Sequence, residues 1–229
     1  MKVYIGFDVR EPLAAEVCAR SLRKATRDQI EPEFLCAPKL HDQGLLTRPV
    51  DHRGGRDYDL TSNEFTSTRF NISRFLTPIL CQQGYALFVD SDTIFLRDPR
   101  EMLSEIHARH AVSVVKHAYE PTESEKMVGQ LQTKYPRKNW SSVMLFNCDH
   151  VANRRLSLRD VNERPKHALH SFYWLADTEI GSLYPQWNWL TGCAERPLDL
   201  GIAHFTLGGP FIPGWQGAEH DEMWLEAAR

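Results

Sequence analysis

Tyr85-Ala-Leu-Phe-Val-Asp90-Ser-Asp92-Thr-Ile-Phe-Leu-Arg-Asp98-Pro99 is the stretch that decides how the rest of the chain is read. Ala86 to Val89 is a continuous apolar run, the pattern of a strand buried on both faces. It ends in two carboxylates two residues apart. Side chains at i and i+2 of an extended chain point the same way, so Asp90 and Asp92 can face one cation. Two adjacent carboxylates repel. A hard divalent ion relieves that repulsion and completes its shell with water and phosphate oxygens. In an open α/β sheet, ligands bind at the C-terminal ends of the strands. The plainer reading is a pair of aspartates capping a turn. A simple surface turn is not usually flanked by apolar runs on both sides, and Thr93 to Leu96 supplies the second run here, which favours the metal.

Working outward, Lys2 to Phe7 reads as a first strand, closed by Gly6 and Asp8. Glu11-Pro12 opens a helix to about Arg27, with Leu13, Val17 and Leu22 on one face. Glu33 to Ala37 predicts a second strand. His41 to Thr61, rich in Gly, Asp, Arg and His without periodicity, predicts a loop. A helical pattern starts at Thr68, with Phe70, Phe75 and Ile79 as buried positions. Asp98-Pro99 begins another helix, and His167 to Leu175 a further one. Ala111 to Lys116, Val143 to Asn147 and Ile202 to Thr206 complete the strand set. Strands alternating with helices predict an α/β fold with a mixed, mostly parallel sheet. No repeat or linker divides the chain, so residues 1–229 are expected to form one domain.

Bulk properties narrow the function. The 229 residues are 42% hydrophobic and 25% charged, enough for a real core. With 27 Lys+Arg against 30 Asp+Glu, the net charge of -3 gives no electrostatic case for nucleic acid as a partner. Five scattered cysteines without a CxxC pair read as the free thiols of a cytoplasmic protein. The N-terminus turns polar too early for a signal peptide, and no apolar run approaches the ~20 residues that span a bilayer.

The aspartate segment resembles the GT-A glycosyltransferases, above all family 8 and its bacterial relatives, in which an apolar strand leads into Asp-x-Asp and a hydrophobic stretch ending near Asp-Pro. Further segments follow that family in order. Val3 to Asp8 resembles its opening strand, which implies that Asp8 contacts the uracil or another base. Thr68 to Leu76 resembles the helix whose Arg reaches the donor, and Arg74 is the matching residue. Asn139-Trp140-Ser141 and the strand to Asn147 resemble an Asn-x-Gly element that contacts the sugar; Trp140 departs from it, so Asn139 or Ser141 takes that role. Asp177-Thr178-Glu179 resembles an Asp-Gln-Asp element beside the donor sugar, with Thr178 in place of Gln. Pro185 to Asn188 resembles a Pro-x-x-Trp-Asn element and implies substrate contacts from Trp187 and Asn188.

Near the C-terminus, His204-Phe-Thr-Leu-Gly208-Gly209-Pro210 resembles the family's His-Phe-x-Gly segment. The resemblance implies that His204 completes the metal site, with the Gly208 and Gly209 amides, and Ser91 between the aspartates, against the diphosphate. Lys is absent from the position where the family grips phosphate.

The resemblance thus implies a single-domain GT-A fold and a Mn²⁺- or Mg²⁺-dependent transferase. The donor is a nucleotide-sugar, a UDP-sugar first of all, and the acceptor a glycan, a lipid or another molecule. Asp177, with Glu179 in reserve, is the candidate to support the oxocarbenium-like centre or take the acceptor's proton. Two other classes stay open at this point: a metal-dependent phosphohydrolase or nucleotidyltransferase using Asp90 and Asp92, and a nucleotide-sugar-binding protein without turnover.

Overall fold

The computed structural model describes residues 1–117, 125–126, 130–131, 137, 139–215 and 217–229. Its strands, in chain order, are β1 (Lys2–Phe7), β2 (Glu33–Cys36), β3 (Val50–Arg53), β4 (Arg56–Asp59), β5 (Glu64–Phe65), β6 (Tyr85–Val89) and β7 (Thr93–Phe95). After them come β8 (Val112–Val114), β9 (Glu125–Lys126), β10 (Gln130–Leu131), β11 (Val143–Asn147), β12 (Ile180–Ser182), β13 (Trp189–Leu190) and β14 (Ile202–His204). The α-helices are α1 (Pro12–Thr26), α2 (Ala37–Asp42), α3 (Thr77–Cys81), α4 (Leu158–Glu163), α5 (Lys166–His170) and α6 (Asp221–Ala227).

Six strands form the central sheet in the order β12-β8-β11-β6-β1-β2. Only β11 runs against the others, antiparallel to both β6 and β8. The apolar run Ala86 to Val89 lies between β1 and β11, and its alternation splits the core. Tyr4, Ala86 and Phe88 face a layer with Phe70, Phe75, Met144 and Trp174. Val3, Ile5, Leu87 and Val89 face the other side, with Leu22 of α1 and Leu145. Burial on both faces is why β6 carries no polar position until Asp90.

A second sheet, β13-β14-β7, sits just beyond the end of β6. The chain leaves β6, turns through Asp90-Ser91-Asp92 and immediately enters β7. α1 covers this junction, the Ser21 hydroxyl accepting from the Phe95 amide at 2.9 Å. Pro12 stands in the first turn of α1, and Arg27 ends it in a left-handed conformation, its amide bonding back into the last turn.

Three expectations are corrected. The predicted loop from His41 to Thr61 holds a β3–β4 hairpin, extended by β5 into a third sheet. Gly54 and Gly55 both have positive φ, 56° and 78°, the two-residue turn that matches the strand twist. The helix expected from Thr68 is broken into a 3₁₀ turn, Ser73–Leu76, and the short α3. Pro78 lacks the amide hydrogen needed to carry the first ladder into the second. The helix from His167 stops at His170, because Phe172 turns left-handed at φ 54°.

Candidate metal centre

The C-terminal ends of β1, β6 and β8 all point to one edge of the central sheet. β11 runs the other way, so its beginning lies there too. Beyond Val89 the ladder continues for one more bond, from the Asp90 amide to the Ser142 carbonyl at 2.9 Å. The Thr93 hydroxyl donates to the Asp90 carbonyl at 2.8 Å and closes the turn that holds both carboxylates. The antiparallel register of β7 and β14 sets His204 opposite Thr93, and the Phe205 amide bonds the Asp92 carbonyl at 2.9 Å. These backbone pairings bring His204 to two aspartates that precede it by more than a hundred positions in sequence.

One ligand atom from each of Asp90, Asp92 and His204 lies within 4.8 Å of the other two. His204 Nε2 stands 3.4 Å from Asp92 Oδ1. Its other nitrogen, Nδ1, is 3.0 Å from Asn188 Oδ1. The rest of the network assigns the proton. The Ser142 hydroxyl donates to the Asn139 carbonyl at 2.6 Å, and Asn188 Nδ2 donates to Ser142 Oγ at 2.9 Å and the Asn139 carbonyl at 3.3 Å. The Asn188 amide oxygen therefore faces His204 and accepts from Nδ1–H. In the neutral ring that turns the Nε2 lone pair toward the carboxylates, the usual second-layer device of a metal-binding histidine. Two carboxylates and a neutral imidazole at this spacing suit Mn²⁺ or Mg²⁺, so the donor set fits a divalent ion.

Arg74 stands against the cluster. Its Nη1 lies 3.0 Å from Asp90 Oδ1 and donates to the Ser141 carbonyl at 2.8 Å, and the guanidinium packs by the rings of Phe70 and Phe88. One guanidinium against two aspartates leaves the cluster negative, which favours a cation.

Other predicted residues fall in different places. Asp8, at the end of β1, is buried, and its carboxylate accepts from the amide, Nε and Nη2 of Arg10 and from the Arg69 amide. Burial opposes its charge, and these hydrogen bonds outweigh it, holding the pKa below the usual carboxylate value. Ser91 and Ser141 are buried, the latter bonded to His170. Asn139 borders the cluster in a left-handed conformation, and its Nδ2 is buried without a hydrogen-bond partner among the described residues. Gly208 has φ 121°, and a Cβ there would meet Trp215 at 2.8 Å; Gly209 packs beneath Phe211. Packing already requires both glycines.

Trp187, expected to contact substrate, is 1% exposed and belongs to the core. Its Nε1 donates to Glu105 at 2.6 Å, and its ring fills the space beside Gly201. It has no face free for a sugar.

The structure does not bring Asp177 and Glu179 to the cluster either. β12 pairs parallel with β8, Ile180 opposite Val112, and through β11 that level corresponds to Ala86 at the start of β6. Glu179, one residue before Ile180, therefore lies about 16 Å along the sheet from Asp90, at the opposite edge. There it caps the Ala176 amide and pairs with Arg155, contacts that lower its pKa. Asp177, in the turn that enters β12, has an 87% exposed side chain paired with Arg137.

Sequence reading missed two histidines. His117 follows β8 at the edge that carries the cluster, with Nε2 buried and lacking a partner among the described residues. Burial, reinforced by nearby His204, lowers its pKa to about 4, so its ring is neutral. Its place just past a predicted strand was the available signal. The other, His170 on α5, is buried.

Solved structures with the same architecture are glycosyltransferases. The bifunctional glycosyltransferase WbbM matches all of this chain at TM-score 0.58 and 12% identity, and the chain spans about half, 49%, of the WbbM chain. The galactosyltransferase LgtC, solved with donor and acceptor sugar analogs, matches at TM-score 0.59 and 13% identity, over 100% of this chain and 95% of its own. The fold is that of the GT-A glycosyltransferases. No protein-family profile matches the chain. Protein CDI of Arabidopsis thaliana is 40% identical over 230 residues, which cover 98% of this chain and 84% of that protein. The chain belongs to the family of Protein CDI.

Proposed function

We propose that the protein is a metal-dependent glycosyltransferase that moves a sugar from a nucleotide-sugar, a UDP-sugar in the first instance, to an acceptor. The carrying observation is the convergence of Asp90, Asp92 and His204, with Asn188 turning the His204 lone pair toward the carboxylates. Asp90, Asp92 and His204 would hold a divalent cation, which when bound would supply counter-charge for the diphosphate leaving group. Asp90 and Asp92 are kept apart by the turn that Thr93 closes, and Arg74 balances part of their charge from the protein side. His117 and Asn139 bring to the same edge buried nitrogens that have no hydrogen-bond partner among the described residues. With the turn before β12 at the opposite edge, the acceptor's proton goes to neither Asp177 nor Glu179.

The reading extends to residues 1–229 as one domain. No helix among the described residues is long and apolar enough to cross a membrane. All five cysteines are free, which supports a reducing compartment such as the cytoplasm.

The test is release of nucleoside diphosphate from UDP- and GDP-sugars, with Mn²⁺ and with EDTA. Slow release from one donor class in Mn²⁺, abolished by EDTA, supports the transferase. Release of nitrophenol from p-nitrophenyl phosphate with every nucleotide-sugar left intact assigns a phosphohydrolase instead.

A further inference from the structure

One turn, residues 139–142, serves both halves of the candidate metal centre through its backbone. The Asn139 carbonyl receives Asn188 and the Ser142 hydroxyl, which fix the side of His204. The Ser141 carbonyl receives Arg74, which sits against Asp90. The Ser142 carbonyl receives the Asp90 amide. A turn with three carbonyls so engaged must itself be held, and two of its side chains anchor it: Trp140, whose Nε1 donates to the His117 carbonyl at 3.1 Å, and Ser141.

Ser141 Oγ lies 2.7 Å from His170 Nδ1, and His170 Nε2 lies 2.7 Å from Asn71 Oδ1. An amide oxygen only accepts, so Nε2 carries the hydrogen and Nδ1 receives the Ser141 hydroxyl proton. The imidazole stands edge-on to Phe75, with ring centroids 5.1 Å apart. Burial, and after it the charge of Arg74, keep the His170 pKa well below its ordinary value, consistent with a neutral ring. A serine, a histidine and an asparagine in line resemble a nucleophilic triad. Ser141 is 3% exposed and His170 6%, so no substrate reaches the hydroxyl and the line is internal.

We propose that His170, oriented by Asn71, is a positioning residue that holds the 139–142 turn through Ser141 and thereby places the ligands on both sides of the metal centre. The inference rests on the metal-dependent reading above. It assigns to the Ser141–His170 bond a role in metal affinity beyond its share of stability.

The test titrates Mn²⁺ alone into the full-length protein and into Ser141→Ala, His170→Gln and His170→Asn, with the thermal midpoint of each recorded. Asn at 170 sets an amide oxygen near the position of Nδ1 and preserves the bond to Ser141. Gln reaches the position of Nε2 and preserves the bond to Asn71. Ser141→Ala and His170→Gln are expected to weaken Mn²⁺ binding about tenfold while His170→Asn stays near wild type, the size of a lost second-layer contact. Equal thermal losses in the two His170 variants alongside unequal Mn²⁺ affinities establish the positioning role. Wild-type affinity in all variants, or equal affinity loss in His170→Asn and His170→Gln, overturns the inference and leaves the metal centre standing. Absence of Mn²⁺ binding by the wild type overturns the metal reading and the inference with it.

Discussion

Asn188 determines which nitrogen of His204 meets the carboxylates. It is 0% exposed, and its amide spends its hydrogens on Ser142 and Asn139 so that its oxygen is left for His204 Nδ1. In Asn188→Ala the imidazole loses its acceptor and the Nδ1 proton is no longer specified. That variant is expected to bind Mn²⁺ about ten- to a hundredfold more weakly, as measured by titration calorimetry. Unpaired buried polar groups should also cost about 1–3 kcal/mol in urea unfolding. Unchanged Mn²⁺ affinity would remove Asn188 from the centre. The pairing of Asp90 with Asp92 was readable from the strand before them, and His204 and Asn188 from family resemblance. The bond between the last two was not, because it arises from β13 and β14 lying in register.

Strand direction decides the fate of the other acidic candidates. β1, β2, β6, β8, β11 and β14 all lie within or close to the predicted segments, since continuous apolar runs bounded by turn residues specify buried strands. Direction is a property of pairing, which no local pattern carries. Glu179 follows from this: its segment looks like a donor-side element in sequence, yet β12 starts at the edge away from Asp90. Glu179→Gln is therefore expected to leave nucleotide release within about twofold of wild type and to lose less than about 1 kcal/mol of stability, a half-exposed ion pair with Arg155 being worth little. A collapse of the rate in a folded Glu179→Gln protein would show that β12 or its turn moves to the cluster in the working state. The β3–β4 hairpin was missed for a related reason. Its polar strands lack the apolar alternation that marks a half-buried strand, and Gly54-Gly55 was the one local clue.

At the scale of the whole molecule, a six-stranded sheet and a three-stranded sheet meet where β6 hands over to β7. The metal-binding candidates sit in that seam. One sheet delivers Asp90, the turn delivers Asp92, and the second sheet delivers His204. Sequence alone indicated the α/β class and the aspartate pair, and it placed His204 on a strand. It did not show that Trp187 is core, because a Trp beside an Asn reads the same whether its ring is packed or exposed. Nor did it show His170 and the 139–142 turn beneath the site, since buried hydrogen-bond chains join residues far apart in sequence. The central claim is that this seam holds a nucleotide through a divalent ion. Its most direct test is calorimetric titration of UDP and of GDP into the wild type and into Asp92→Ala, each with Mn²⁺ and with EDTA. The account predicts Mn²⁺-dependent binding of one nucleotide that is lost in EDTA and in Asp92→Ala. Binding of neither nucleotide, or binding indifferent to EDTA and to Asp92, would contradict it.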